Sequence, residues 1–259
     1  QINFLGYPGT SGAKSIDYII ADKNLISDEN KKFYTEKIIY LPNSYQPNVK
    51  KTKISIKNLT KEKLGLPNEK FIFCCFNQHQ KINPFIYDIW MRILKKNSES
   101  ILWLLDDNFY SNKNLLFEAE KRGVSKSRIV FAKRVPLEDH LERIKFGDLF
   151  LDTFPYTGTT TTLDTLWMGV PLISLTGSSI HQRNSASILH FCGHSEWIAH
   201  TQEEYISLCM QLMADQDKRR DCRLRLRSQL LESRLTDPKQ FTVDFLETLR
   251  EMIELKATQ

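Results

Sequence analysis

The sequence predicts an α/β fold built on a parallel β-sheet, and two observations support that prediction. From residue 70 onward, apolar segments of strand length alternate with segments of about ten residues whose apolar positions recur at helical spacing. The strand segments are apolar throughout, as expected when helices cover both faces of a sheet. Alternation of this kind is typical of βαβ units, whose strands run parallel.

Each element of this alternation is identified from its own residues. The predicted strands are, in order, FIFCCF, ILWLLD, RIVFA, DLFLD and PLISL. The predicted helices are PFIYDIWMRILKK, which has proline in its first turn, NKNLLFEAEKRG and TTTLDTLWMG, which end in glycine, PLEDHLERIK, and SASILHFCG. Beyond residue 202 the pattern is helical, over EEYISLCMQLMAD, DKRRDCRLRLRSQLLES and DPKQFTVDFLETLREMIELK.

The first 48 residues form a separate pattern. INFLG, DYIIAD and KIIYLP are predicted strands, separated by the loop GYPGTSGAKS and a predicted helix SDENKKFYTE. We expect four units: 1–48 as the end of one domain, a lysine-rich linker with one short helix over 49–65, a main domain over 66–235, and a helical segment over 236–259. Because the chain begins within a strand, we also expect it to lack an N-terminal part.

Composition and charge narrow the class of protein. Hydrophobic residues make up 41% and charged residues 26%, and no apolar run approaches the roughly 18 residues of a membrane span. The net charge of +5 is scattered, and the basic segment DKRRDCRLRLRSQLLESR lacks interleaved aromatic residues, so we interpret it as a solvated helix face. We expect neither nucleic acid nor a membrane as partner. The five cysteines form no CxxC pair, which predicts buried, reduced thiols in a cytoplasmic protein.

Polar loops follow the predicted strands at the edge where doubly wound sheets bind ligands. After FIFCCF, Lys81 lies beside a helix N-terminus, and a cation next to unpaired N–H groups makes a phosphate site. The alternative for Lys81 is a solvated loop lysine. After RIVFA, His140 lies in the first turns of a helix, where a lone histidine is more often packed or exposed than a ligand.

The stretch FPYTGTTTTLDTLWMG gives the strongest signal of a binding site, and Asp152 ends the strand before it. Thr159 is predicted to cap the helix, and the other threonines to direct hydroxyl and N–H groups at one anion. Gly158 is predicted to let a phosphate approach the backbone, and Asp164 to accept hydrogen bonds from ribose hydroxyls. Simple N-capping is the alternative, but it accounts for one threonine rather than four.

Two acidic pairs have the pattern of metal ligands, and we expect a metal at neither. Asp215–Asp217 has the DxD pattern but lies between predicted helices rather than after a strand. Asp106–Asp107 follows a strand, yet no histidine or third acid is near it in sequence.

Five segments in this order resemble one family: LGYPGTSGA, DYIIAD, CFNQHQK, VPLEDH and LDTFPYTGTTTTLDTLWMGVPLISLTG. They are similar to the catalytic region of protein O-GlcNAc transferases and their bacterial relatives, over nearly the whole chain. The resemblance implies the GT-B glycosyltransferase architecture, with a complete C-terminal Rossmann-like domain and parallel sheet preceded by the end of the N-terminal Rossmann-like domain. It also implies that the last helix packs back on the first domain, and that tetratricopeptide repeats lie upstream.

By motif position, the resemblance implies which residues hold the diphosphate and ribose of the UDP-GlcNAc donor. Gln78 and Lys81 match the pair that contacts the diphosphate, and Lys81 is the catalytic residue expected to neutralise charge on the leaving nucleotide. Thr160 and Thr161 match threonines that hold the diphosphate at a helix start. Asp164 matches the acid that binds the ribose.

Around the base, the resemblance implies that the backbone of Val135 and the side chain of His140 hold the nucleotide. Three positions depart from the animal enzymes. Thr159, which we keep among the donor-binding residues, replaces a histidine; Leu137 replaces a lysine near the base; and Asp106–Asp107 replaces a basic and an aromatic residue.

The resemblance implies an inverting, metal-independent glycosyltransferase that moves GlcNAc from UDP-GlcNAc to Ser or Thr hydroxyls of an acceptor protein and needs no cofactor. The GTTTT form is similar to SPINDLY-type protein O-fucosyltransferases, whereas Gln78 favours the GlcNAc branch. The same fold using GDP-fucose or UDP-glucose is therefore an alternative. A catalytically inactive nucleotide-binding fragment is another, and no general base stands out in the chain.

Overall fold

A computed structural model describes residues 1–6, 9–48, 54 and 58–257. Residues 7–8 of the predicted loop, 49–53 and 55–57 of the predicted linker, and 258–259 of the last segment lie outside the described residues. The chain begins with a three-stranded parallel sheet in the order β1-β2-β3, formed by β1 (Ile2–Asn3), β2 (Tyr18–Ala21) and β3 (Lys37–Tyr40). The three predicted N-terminal strands are confirmed.

The helix predicted over SDENKKFYTE is wrong in type, because the structure has a short 3₁₀ helix there, Asp28–Phe33. None of its residues is buried, and Ser27 at its N-cap makes no side-chain cap hydrogen bond. A segment without a buried face or a capped end lacks the two features that stabilise a longer α-helix. The short helix predicted in the linker corresponds to a single 3₁₀ turn, Glu62–Leu64.

The larger sheet has six parallel strands in the order β6-β5-β4-β7-β8-β9. They are β4 (Phe71–Cys75), β5 (Ser100–Leu105), β6 (Ile129–Ala132), β7 (Leu149–Leu151), β8 (Leu172–Leu175) and β9 (Ile198–Ala199). Strands β5, β7 and β8 are buried along their whole length, as their continuous apolar sequences predict. The edge strand β9 was not predicted, because two residues are too short to show a periodicity.

Eight α-helices accompany the strands in the described part of the chain. They are α1 (Pro84–Lys96), α2 (Phe109–Lys121), α3 (Leu137–Ile144), α4 (Thr160–Trp167), α5 (Asn184–Phe191), α6 (Gln202–Ala214), α7 (Gln216–Glu232) and α8 (Pro238–Ala257). The helices predicted from residue 84 onward are confirmed, with α2 beginning earlier than expected. Its N-cap Asn108 accepts a hydrogen bond from the N–H of Ser111 at 3.0 Å. Its first residues, Phe109 and Tyr110, are exposed and do not fit the helical spacing of the apolar residues.

The strand order creates a switch point between β4 and β7. From β4 the chain moves outward to β5 and β6, then returns to pair β7 with the other side of β4, in the register Phe73↔Leu149. Loops leaving the carboxyl ends of β4 and β7 therefore diverge over opposite faces of the sheet, and a crevice opens between them.

Helix α8 and the end of β2 connect the two sheets. The ring of Phe245 on α8 lies 5.0 Å from the ring of Phe4, which follows β1. The hydroxyl of Ser187 on α5 donates to the buried carboxylate of Asp22, which follows β2, at 2.9 Å. The last helix thus contacts the first sheet, while the domain boundaries at residues 48, 66 and 235 stay predictions.

The basic segment forms helix α7, whose lysine and arginine side chains are exposed or half-exposed, as predicted for a solvated face, and three of its arginines also bond to neighbouring carbonyl groups. The guanidinium of Arg227 donates to the carbonyl of Trp167 at 2.8 Å, and that of Arg223 donates to the carbonyl of Gly147 at 2.8 Å. Arg219 donates to the carbonyl oxygens of Leu212 and Met213. Several of its cations therefore satisfy carbonyl groups of neighbouring elements. Within the residues described, no helix is both long and apolar enough to cross a membrane.

Candidate active site

A cavity of about 1000 Å³ lies at the switch point, at the carboxyl ends of β4, β5, β6 and β7. Seven of the eight residues predicted for the site line it: Gln78, Lys81, Val135, His140, Thr159, Thr160 and Thr161. Their positions reflect the strand order, because β4, β6 and β7 each end in one of the predicted loops. The structure thus brings together side chains that are far apart in sequence.

Lys81 provides a cation at one end of the cavity. Its ammonium donates a hydrogen bond to the carbonyl oxygen of Thr157 at 3.1 Å and lies 4.1 Å from the centre of the Tyr156 ring. Burial lowers the pKa of Lys81, and the nearby carboxylate of Asp152 opposes that effect. A partly desolvated ammonium interacts more strongly with an anion than one in open water.

Asp152 organises the loop that follows β7. Its carboxylate is fully buried, and its Oδ1 accepts hydrogen bonds from Nδ2 of Asn77 at 3.0 Å and from the N–H of Gly158 at 2.9 Å. Its Oδ2 accepts from the hydroxyl of Ser174 at 2.7 Å. Burial raises the pKa of Asp152, while bonds from Ser174 and Gly158 act in the opposite direction. This network links β4, β7 and β8 beneath the cavity.

The threonines at the start of α4 have different roles. Thr159 occupies the N-cap position, but with φ −134° and ψ −77° it makes no side-chain cap hydrogen bond, so the predicted capping role is wrong. Thr161 donates its hydroxyl to Oδ1 of Asn77. The hydroxyl of Thr162 is buried and lies 2.7 Å from that of Ser185. Thr160 is exposed at the cavity. The helix N-terminus is thus left without a Thr159 cap, and an anion can take that place.

Gly158 has a structural role in addition to the predicted approach of a phosphate, which stays a prediction. A Cβ added there would lie 2.6 Å from Oγ1 of Thr162, 3.2 Å from Oγ1 of Thr161 and 3.3 Å from Oδ1 of Asp152. Protein atoms therefore occupy the space beside Gly158, and its missing side chain lets the threonines and Asp152 pack against the loop.

His140 lies at the other end of the cavity with Arg143. Its Nδ1 is 3.0 Å from Nε of Arg143, which donates to it, so Nδ1 serves as acceptor and the ring proton is assigned to Nε2. The rings of His140 and Phe76 meet edge to face at 5.2 Å, and the guanidinium of Arg143 lies 5.4 Å from the Phe76 ring centre. Burial lowers the pKa of Arg143 to about 10. With Val135 and Leu137 beside it, this end combines apolar and aromatic side chains with the cations of Arg134 and Arg143.

Asp164 is the one predicted residue that does not line the cavity. Its side chain lies on α4 and is only 4% exposed. Its predicted contact with a ribose stays a prediction.

Among the described residues, no three His, Cys, Asp or Glu side chains are grouped as a metal ion requires. Both acidic pairs have other partners. Oδ1 of Asp106 accepts from Nδ2 of Asn112 at 2.7 Å, and Asp107 pairs with Arg134 at 2.7 Å. Asp215 caps α7, accepting from the N–H of Lys218 at 2.8 Å.

Several lining residues were not predicted to belong to the site, among them Asn77, Arg134, Arg143 and Tyr156. Asn77 and Tyr156 lie in the same polar loops as predicted site residues, and Arg143 lies three positions after His140, one helical turn away. Their closeness in sequence to predicted residues could have indicated that they belong to the site. Arg134, also at the cavity, stands directly before Val135.

The sequence matches the model of glycosyl transferase family 41 over residues 1–49 and 46–245. The chain belongs to glycosyl transferase family 41. The resemblance to the catalytic region of protein O-GlcNAc transferases is thereby confirmed, and this family 41 chain is a glycosyltransferase sequence.

Named relatives agree with this assignment. The chain is 33% identical to a probable UDP-N-acetylglucosamine–peptide N-acetylglucosaminyltransferase SEC of Arabidopsis thaliana, over 96% of the chain and 26% of that protein. It is 32% identical to a probable enzyme of the same description, SPINDLY of Petunia hybrida, over 97% of the chain and 27% of that protein. The UDP-N-acetylglucosamine–peptide N-acetylglucosaminyltransferase of Caenorhabditis elegans is 35% identical over 72% of the chain and 16% of that protein. The chain thus spans about a quarter or less of these curated relatives.

Solved structures confirm the GT-B architecture. A mutant of the Thermobaculum terrenum O-GlcNAc transferase matches with a TM-score of 0.88 at 30% identity, over 97% of this chain and 48% of that chain. WaaG, a glycosyltransferase involved in lipopolysaccharide biosynthesis, matches with a TM-score of 0.60 at 14% identity, over 92% of this chain and 64% of that chain. The second likeness concerns the fold alone.

Proposed function

We propose that this family 41 chain is the donor-binding part of an enzyme that transfers GlcNAc from UDP-GlcNAc to Ser or Thr hydroxyls of proteins. One observation carries the proposal. A cavity at the sheet switch point has the Lys81 ammonium beside the N-terminus of α4 at one end, and the Phe76 ring with His140 and Arg143 at the other. The Lys81 end suits a diphosphate, and the aromatic and apolar side chains of the other end suit a base.

The diphosphate would lie between Lys81, Gln78 and the first turn of α4. Thr160 is exposed there, and the N–H groups of the first helical turn need an acceptor. The Thr161 hydroxyl already donates to Asn77, so Thr161 would hold the diphosphate through its backbone N–H. The base would lie near Val135 and His140, beside the ring of Phe76.

The acceptor hydroxyl would attack the anomeric carbon from the face opposite the diphosphate, so that the new C–O bond forms as the bond to UDP breaks, the hydroxyl proton is lost to solvent, and the configuration is inverted. Negative charge then develops on the leaving diphosphate. Lys81 and the helix N-terminus would stabilise that charge in place, so Lys81 is the proposed catalytic residue and a metal ion is not required.

The donor assignment is tested by calorimetry of the chain with UDP and with GDP. UDP should bind more tightly than GDP. Lys81→Ala should weaken UDP binding about tenfold or more, because a charge-assisted hydrogen bond contributes about 1.5–3 kcal/mol. Lys113→Ala, which removes an exposed lysine of α2, is the matched control and should leave the affinity unchanged. Binding of GDP alone would point to the GDP-fucose alternative.

Transfer itself is tested with the full-length protein that contains this chain. Incubation with UDP-GlcNAc and candidate acceptor proteins, followed by mass spectrometry, should detect HexNAc on Ser or Thr. If the chain binds UDP but the full-length protein transfers no sugar, the result would instead support an inactive nucleotide-binding protein. Loss of transfer in Lys81→Ala, without unfolding, would assign the chemistry to this cavity.

A further inference from the structure

The ring of Tyr156 lies against the ammonium of Lys81. Nζ of Lys81 is 4.1 Å from the ring centre, and Tyr156 lines the same cavity with 42% of its surface exposed. The carbonyl oxygen of Thr157, the next residue, accepts a hydrogen bond from the same ammonium at 3.1 Å. Two consecutive residues after β7 therefore fix the position of a side chain that comes from the loop after β4.

His181 supports both of these contacts. Its ring is stacked on that of Tyr156 with centres 5.9 Å apart and an angle of 26° between the planes. Its carbonyl oxygen accepts two hydrogen bonds from Thr157, one from the N–H and one from the hydroxyl, each 3.0 Å long. Thr157 is fully buried, so this attachment is shielded from water.

The segment around His181 is tied in turn to the first sheet. Nδ2 of Asn30 donates to the carbonyl of Ser178 at 2.8 Å, and Nε of Arg183 donates to the carbonyl of Asn24 at 2.6 Å. The contacts around Lys81 are thus continuous with those that join the two sheets.

An aromatic ring differs from a carboxylate as a partner for this lysine. The negative face of the ring attracts the ammonium without neutralising its charge and without accepting a full hydrogen bond. Of the three ammonium donors, one is used by Thr157, and two remain for other acceptors. A free lysine side chain has many rotamers, and ordering it on binding costs affinity.

We propose that Tyr156 is a positioning residue that holds Lys81 in place, charged and with donors available, before the diphosphate arrives. This inference rests on the proposed function for the role of Lys81. It assigns to Tyr156 no contact with the reacting atoms. Substituting Tyr156 should change nucleotide binding only by changing the position of Lys81.

A double-mutant cycle on UDP affinity tests that statement. Tyr156→Leu should weaken UDP binding about fivefold, within the range expected for ordering one flexible side chain on binding, and Tyr156→Phe should stay close to wild type because it keeps the ring. In a Lys81→Ala background, Tyr156→Leu should have no further effect. A similar fivefold loss in that background would overturn the proposal, since Tyr156 would then act independently of Lys81.

Phe117→Leu is the matched control for losing an aromatic ring, because Phe117 is 63% exposed on α2 and does not line the cavity. It should leave UDP affinity unchanged. Thermal unfolding of each variant checks the fold, because Tyr156→Leu also removes the stack on His181. If Tyr156→Leu unfolds the chain, the ring-current shift of the wild-type chain, described below, still decides.

A measurement without ligand separates this inference from the proposed function. In NMR spectra, the ε-methylene protons of Lys81 should be shifted upfield by the ring current of Tyr156. The shift should persist in Tyr156→Phe and vanish in Tyr156→Leu. Absence of the shift in the wild-type chain overturns the positioning role even if UDP binds. Failure of the wild-type chain to bind UDP overturns the proposed function, and the ring-current shift then decides the contact by itself.

Discussion

The hydroxyl of Thr161 donates a hydrogen bond to Oδ1 of Asn77, joining the loop after β4 to the start of α4. The amide group of Asn77 also donates to Oδ1 of Asp152 at 3.0 Å and to Oγ1 of Thr153 at 2.9 Å. One buried side chain thus connects both walls of the cavity. The hydroxyl of Thr161 is committed to this bond, which leaves its backbone N–H as the group for an anion.

Asn77→Ala should lower the free energy of unfolding by about 2–4 kcal/mol. The substitution leaves the Thr161 hydroxyl without its acceptor and removes one donor from the buried Asp152 carboxylate. Urea unfolding followed by circular dichroism measures the change. Asn114→Ala, at an exposed position of α2, should remain within about 0.5 kcal/mol of wild type. Equal stability of the two variants would contradict the structural role of Asn77.

Gly158→Ala should destabilise the chain by about 1–3 kcal/mol and weaken UDP binding. Its Cβ would lie 2.6 Å from Oγ1 of Thr162, so the start of α4 or the loop must move. Chemical unfolding and calorimetry provide the two readouts. Gly6→Ala is the matched control, because a Cβ there meets no atom within 4 Å. If Gly158→Ala keeps full stability but loses nucleotide, the space beside this glycine serves the ligand rather than the threonines.

Glu36 should make the stability of the chain depend on pH in the acid range. Burial favours a higher pKa for Glu36, but hydrogen bonds from Ser11 and Thr10 outweigh it and lower the pKa from 4.5 to about 2. An acid whose pKa is lower in the folded state adds stability that is present above pH 4.5 and is lost as the pH falls toward about 2.

Urea unfolding of wild type and Glu36→Gln between pH 5 and pH 2 measures this dependence. Wild type should be the more stable protein at pH 5, and the difference between the two should shrink as the pH falls. All other carboxyl groups are common to both proteins, so the changing difference reports Glu36. A difference that stays constant across this range would show that the bonds to Ser11 and Thr10 do not lower the pKa.

Helix α1 shows why much of the fold could be predicted from the sequence. Asn83 at its N-cap accepts from the N–H of Ile86 at 3.1 Å, and Pro84 occupies the first helical position. These signals lie within four residues of one another, so the sequence displays them directly. The edge that carries the cavity was predictable because parallel strands place the loops that follow them at one edge of the sheet, whereas the strand order that makes β4 and β7 neighbours was not predicted.

Thr159 shows what could not be predicted. Its residue type and position favour an N-cap, yet its backbone angles are not those of a capping residue. The turn before it is held by the bond from Gly158 to Asp152 and by the two bonds from Thr157 to the carbonyl of His181. Local propensity contains no information about His181, more than 20 positions later. The burial of Asp164 and the ring contact of Tyr156 with Lys81 depend on tertiary packing in the same way.

Leu137→Lys should strengthen the binding of UDP about twofold to fivefold, the range for an added surface ion pair. Leu137 is 54% exposed, begins α3 and lines the cavity, so a lysine there would face the diphosphate and base from the rim. A cation at a helix N-terminus costs about 0.3–1 kcal/mol of stability, but the free and bound proteins both bear that cost, so it leaves the affinity unaffected.

Calorimetry in low salt should show the gain in UDP affinity from Leu137→Lys, and calorimetry near 1 M salt, where the Debye length falls to about 3 Å, should show its loss. Leu224→Lys, 73% exposed on α7 and away from this cavity, adds the same charge and should change nothing. Leu137→Gln removes the apolar side chain without adding charge, and a gain of the same size in that variant would show that electrostatic attraction is not the cause.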